Sequence, residues 1–133
     1  MFEKLEESFE LLNANLLTDE KVTESTLKEI SSYINYCQAR LEYLVDEINM
    51  LQENENKSQN LKLLEEVYEE KIIYLLHDIS SEMFNLQTFL APKSEGNEKI
   101  LDILESIDGV EALLMLIPEE IEKVKCLIIA FLN

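Results

Sequence analysis

From Leu27 the apolar positions run Ile30, Ile34, Cys37, Leu41, Leu44, Ile48 and Leu51, steps of three and four alternating without a break. Such a repeat lines one stripe of an α-helix, and more than three heptads of it predict a rod over about residues 23–54, ~45 Å long at 1.5 Å per residue. Thr26 and Glu29 have the spacing of a capping box near its start. Ahead of it, Phe2, Leu5, Phe9, Leu12 and Leu16 predict a shorter amphipathic helix over about 2–16. Thr18, Asp19 and Glu20 mark the break between the two.

The stretch from Gln52 to Asn60 is the most polar in the chain and reads as a long turn. Beyond it the apolar stripe resumes at Leu61, Leu64, Tyr68, Ile72, Leu75, Ile79, Met83, Leu86 and Leu90, predicting a second long helix over about 59–90. These positions drift from a strict heptad. Leu63, Val67, Ile73, Leu76 and Phe84 widen the face further, so the helix is expected to touch more than one neighbour. The short connection implies an antiparallel hairpin.

After Pro92, Ser94 and Gly96, three shorter helices are expected. One covers about 97–107 and stops at Asp108-Gly109. An almost wholly apolar one, expected to be buried, covers 110–117. The last covers 118–132, with Pro118 at its first position, Glu119 and Glu120 at its positive end, and Ile121, Val124, Leu127, Ile128 and Phe131 packed inward. The expectation is an all-α, single-domain helical bundle over 1–133, built on a long antiparallel helix hairpin with shorter flanking helices.

Composition narrows this picture. Two Gly and two Pro in 133 residues are too few for the turns of a β-sandwich or α/β domain. Twenty-three Leu and thirteen Ile supply the burial that a disordered chain lacks. Cys37 and Cys126 make no disulfide framework and read as reduced, buried thiols of a cytoplasmic protein. The acidic start is unlike a signal peptide, and the longest apolar run, Cys126 to Leu132, is far short of a membrane span. Ten Lys against one Arg, with frequent Asn and Ile, hint at an AT-rich bacterial or phage genome.

Charge changes the picture most. Twenty-eight Asp and Glu oppose eleven Lys and Arg, a formal net charge of −17. That surplus repels anionic membranes and nucleic acid, and it strains the compact state, so it points either to solubility or to a basic partner. Glu65, Glu66, Glu69 and Glu70 form two adjacent i, i+4 pairs, a doubled acidic row on the outer face of the 59–90 helix. Glu42, Asp46 and Glu53 continue a similar line on the 23–54 helix, and Glu3, Glu6, Glu7 and Glu10 load the first. Like charges at i, i+4 cost helix stability, which asks for a compensating role, although Lys62 and Lys71 partly neutralise the row.

Catalytic chemistry finds little support. His77 is the single histidine, and the adjacent Asp78 opposes an incoming phosphoryl group. Residue 74 is Tyr, so the Glu-x-x-His ligands of a di-iron bundle are missing. No glycine-rich phosphate loop is present, Cys37 falls on the apolar stripe, and Lys123 and Lys125 beside Cys126 are weak grounds for an activated thiol. No enzyme, cofactor or metal is expected.

The expected function is a non-enzymatic binder and inhibitor of a basic, nucleic-acid-handling protein, its carboxylates standing in for phosphates as in phage antagonists of bacterial defence. Glu65, Glu66, Glu69, Glu70, Glu42, Asp46 and Glu53 are the expected contact residues. The alternative is a helical chaperone or adaptor for a secreted or flagellar subunit, or a small helical subunit of a larger complex. Tyr33, Tyr36, Tyr43 and Tyr74 border the apolar stripes and suit either an interface or the edge of the core. The Leu27–Leu51 seam is also a candidate homodimer contact.

Overall fold

The computed structural model describes residues 2–5, 7, 9–17, 22–53 and 55–133. Among them the chain forms α1 (Glu24–Met50), α2 (Lys57–Val67), a π-helical turn (Tyr68–Ile72), α3 (Ile73–Leu90) and α4 (Glu98–Leu132). Helix α2, the π turn and α3 run on as one rod. The long helices pack into a single all-α domain, with the most extensive close approach between α1 and α4. Their starts meet where Lys99 Nζ lies 2.7 Å from Glu24 Oε1, so they run parallel. The ammonium of Lys57, at the start of α2, sits 4.7 Å from the ring centre of Phe131 at the end of α4, so the middle rod runs the opposite way.

Helix α1 is capped three residues before the expected capping box. Its cap is Thr23, whose side chain accepts from the Thr26 backbone N–H at 3.1 Å. The whole predicted seam, Leu27, Ile30, Ile34, Cys37, Leu41, Leu44, Ile48 and Leu51, is buried within the chain. Homodimerisation through this seam would require α1 to leave α4. At the hairpin end Asn60 is buried and its Nδ2 donates to the Leu51 carbonyl at 3.1 Å, which fixes the turn between α1 and α2.

The drift noted over 59–90 has a structural solution. Leu64 and Ile72 are both fully buried. Eight residues apart, they would differ by ~80° around a regular α-helix. The π turn between them, closed by the Ile73 N–H to the Tyr68 carbonyl, absorbs that difference and returns Leu75, Ile79, Met83, Leu86 and Leu90 to the core.

The last third of the chain departs from expectation. The three helices predicted over 97–107, 110–117 and 118–132 are one 35-residue helix. Gly109 and Pro118 were read as a stop and a start, yet Ile100, Ile103, Ile107, Val110, Ile117, Ile121, Val124 and Ile128 are all buried along one stripe. A mid-helix Gly costs about 1 kcal/mol and a Pro about 3 kcal/mol. Each buried branched side chain recovers about 1.5–3 kcal/mol, so an unbroken seam outweighs both breakers. Leu127 and Phe131, expected inward, are instead exposed, as are Met115 and Leu116 in the segment expected to be buried. A Cβ at Gly109 would meet nothing within 4 Å. Gly109→Ala should therefore stabilise the protein by about 0.5–1 kcal/mol, read as a higher urea midpoint at unchanged slope; a loss of stability would mean that α4 is not helical there.

The predicted helix over 2–16 is also absent. The described part is an irregular strap with two short 3-10 turns, Glu3–Leu5 and Ala14–Leu17. Asn13 Oδ1 accepts from the Asn15 backbone N–H at 3.1 Å, a local turn that competes with helix. Arg40 on α1 donates to the carbonyls of Lys4 and Glu7, both at 2.9 Å, oxygens a helix would have used itself. The break expected at Thr18 to Glu20, along with Glu6 and Asn54, lies outside the described residues.

Candidate functional site

Every carboxylate singled out from the sequence as a contact residue is exposed: Glu65, Glu66, Glu69 and Glu70 on the middle rod, Glu42 and Asp46 on α1, and Glu53 just beyond it. Their arrangement differs from a regular double row. Glu65 and Glu66 close α2, whereas Glu69 and Glu70 lie in the π turn, so the step between them is not the even spacing of an α-helix. Glu53 sits in the turn after α1 rather than on the helix. The α1 and α2 acids occupy antiparallel rods. Glu42 accepts from Gln38 Nε2 at 3.0 Å, and Lys62 lies 3.9 Å from Glu66 with both side chains mostly in solvent. So exposed a contact is worth only a few tenths of a kcal/mol, and the row stays electrostatically negative.

Two carboxylates that sequence reasoning passed over are embedded in structure. Glu47 is buried, and its Oε2 accepts from the Phe2 backbone N–H at 2.6 Å. Phe2 is held there at φ 61°, a left-handed conformation that a phenylalanine adopts only when its surroundings insist. Glu82 on α3 is half-buried, and desolvation, then Asp78 beside it, push its carboxyl above the ordinary range. At the N-terminal end, by contrast, the hydrogen bond and charge of Lys99 hold the Glu24 carboxyl below that range.

The tyrosines divide. Phe9 of the strap stacks on Tyr36 with ring centres 5.8 Å apart and tilts against Tyr33 at 6.1 Å. Lys4 lies 4.3 Å from the centre of the Tyr43 ring, and Arg40 Nη1 donates to the Tyr36 hydroxyl at 2.8 Å. Three of the four rim tyrosines are thus engaged by the chain's own N-terminal strap. Tyr74 is left open at 66% exposure. It lines, with Tyr68, Glu69, Ile73 and His77, a shallow groove of about 500 Å³ at the end of the π turn.

Reactive groups are sparse. Cys37 is fully buried, and desolvation pushes its thiol up to about 11, which leaves it protonated and inert. The neighbouring Tyr33 hydroxyl is likewise raised, chiefly by burial. Cys126 is exposed. His77 stands at the groove with Asp78 next in sequence, and no second histidine exists to orient it. Among the described residues no three His, Cys, Asp or Glu side chains are placed to hold a metal ion, and no helix is long and apolar enough to cross a membrane. No protein-family model, no curated protein and no solved structure matches this chain.

Proposed function

We propose that this protein acts without catalysis, binding and inhibiting a basic protein that handles nucleic acid, in the cytoplasm and in the manner of a phage-type antagonist. The observation that carries the reading is the display of Glu65, Glu66, Glu69 and Glu70 as exposed charges on a stiff, well-packed rod, in a chain of net charge −17. A groove built for phosphates is lined by Lys and Arg, and a fixed series of carboxylates is complementary to it. Nucleic acid itself and anionic membranes are repelled by the same surface.

Capture on the immobilised protein from host lysate, with mass spectrometry of what is retained, gives the candidate partner. The expected partner is a basic nucleic-acid-binding protein that releases at about 0.5 M salt, where exposed charges are screened. Against it, the combined Glu65→Lys, Glu66→Lys, Glu69→Lys and Glu70→Lys protein should bind about tenfold or more weakly at unchanged helicity. Retention in high salt, untouched by charge reversal, would count against the reading. It would favour the second one, a chaperone or assembly adaptor, for which the exposed Ile73, Tyr74 and Phe84 on the outside of α3 are the specific observation.

A further inference from the structure

The π turn does more than restore the core stripe. By bringing Ile72 fully inside, it leaves the next two residues outside, Ile73 at 46% and Tyr74 at 66% exposure. Two large apolar side chains therefore stand in water side by side, directly after an irregular turn. Together with Tyr68, Glu69 and His77 they line the shallow groove. Glu66 and Glu70 stand on the preceding turn, and Asp78 follows His77 in sequence.

An apolar surface with Glu69 in its lining, and with exposed Glu66 and Glu70 just ahead of it on the same rod, restricts its occupant. A neutral apolar ligand would leave these carboxylates without complement, and an acidic one would be repelled. A cationic segment with no apolar side chain would leave Ile73 and Tyr74 in water. We propose that this groove receives an apolar side chain carried on a basic, amphipathic helix of a protein partner, the anchor seated on Ile73 and Tyr74 and its flanking Lys or Arg side chains facing Glu66, Glu69 and Glu70. This rests on the electrostatic function proposed above and adds the apolar contact that confers selectivity. Charge speeds encounter and orients the helix; burial of the anchor distinguishes one basic segment from another.

Two synthetic peptides of equal positive charge test it against the full chain: one with Leu at every third or fourth position among Lys, the other with each Leu replaced by Ser. The Leu peptide should bind about tenfold or more tightly than the Ser peptide, the gain expected from burying one such side chain. Amide shifts should concentrate at residues 68–77. Ile73→Ser with Tyr74→Ala, at exposed positions that leave the fold intact, should erase the difference between the peptides and leave the Ser peptide's affinity unchanged. Equal binding of the two peptides, or a preference that survives in the double variant, overturns the groove while leaving the acidic row standing. Charge reversal at Glu65, Glu66, Glu69 and Glu70 that weakens neither peptide overturns the electrostatic reading and the groove with it. Concentration-dependent shifts at 68–77 in the chain alone would assign the groove to a second copy and also overturn the proposal.

Discussion

Leu41→Ala is expected to lower the unfolding free energy by about 2–5 kcal/mol, the range for a fully enclosed leucine whose neighbours cannot collapse into the space. Leu41 has no exposure at all and lies mid-way along the seam of α1, flanked by the equally buried Cys37 and Leu44. The loss combines the transfer of the missing methyls with the cavity they leave, and stiff rods on both sides limit relaxation. Urea denaturation followed by circular dichroism would show it as a lower midpoint with little change of slope. Single domains of this kind are held by about 5–15 kcal/mol, so the variant should remain folded at room temperature but melt far earlier. A change below about 0.5 kcal/mol would mean that the α1 seam is not in the core.

Arg40→Ala is expected to remove about 2–4 kcal/mol and to release the N-terminal strap, since several charge-assisted contacts disappear together. The guanidinium donates to the Lys4 and Glu7 carbonyls and to the Tyr36 hydroxyl, and lies 5.6 Å from the centre of the Phe9 ring. Lysine in its place would keep the charge but not the planar fork that serves two carbonyls at once. Released, the strap would uncover Tyr33 and Tyr36. Limited proteolysis would therefore cut before residue 22 far faster than in the unaltered protein, while the helical signal from α1 to α4 persists. Equal protection of that segment in both proteins would dismiss Arg40 as its clamp.

The seam of α1 was legible residue by residue because a strict alternation of three and four needs no partner to be recognised. All eight of its positions are buried. The antiparallel hairpin with the 59–90 rod was legible from the short connection between the two, but not the π turn within the rod. Apolar spacing registered the drift at Leu64, Tyr68 and Ile72; whether a drift is met by a wider face or by a changed backbone depends on what the neighbouring helices demand. In α4 the local signs misled. Gly109 and Pro118 are strong punctuation in isolation, yet the phase of Ile103, Ile107, Val110, Ile117 and Ile121 carries through both. Following that phase, rather than the breakers, would have recovered the single helix.

The candidate site divides along similar lines. That Glu65, Glu66, Glu69 and Glu70 face solvent follows from their place opposite the apolar stripe. That the next turn offers Ile73 and Tyr74 beside them does not, because periodicity had counted Ile73 toward the apolar face. Tyr33 and Tyr36 look as available as Tyr74 in the sequence, but the strap lies across them, and Lys4 engages the Tyr43 ring.

Helical class, the acid surplus and the α1 stripe belong to the chain of residues itself, since each depends on spacing and composition that no contact can alter. Continuity through Gly109 and Pro118, the π turn, the path of the strap and the openness of the Tyr74 groove belong to the packed molecule. Each is a contest between a local backbone preference of about 1–3 kcal/mol and the burial of several side chains at once, and only the assembled core determines which of the two is larger.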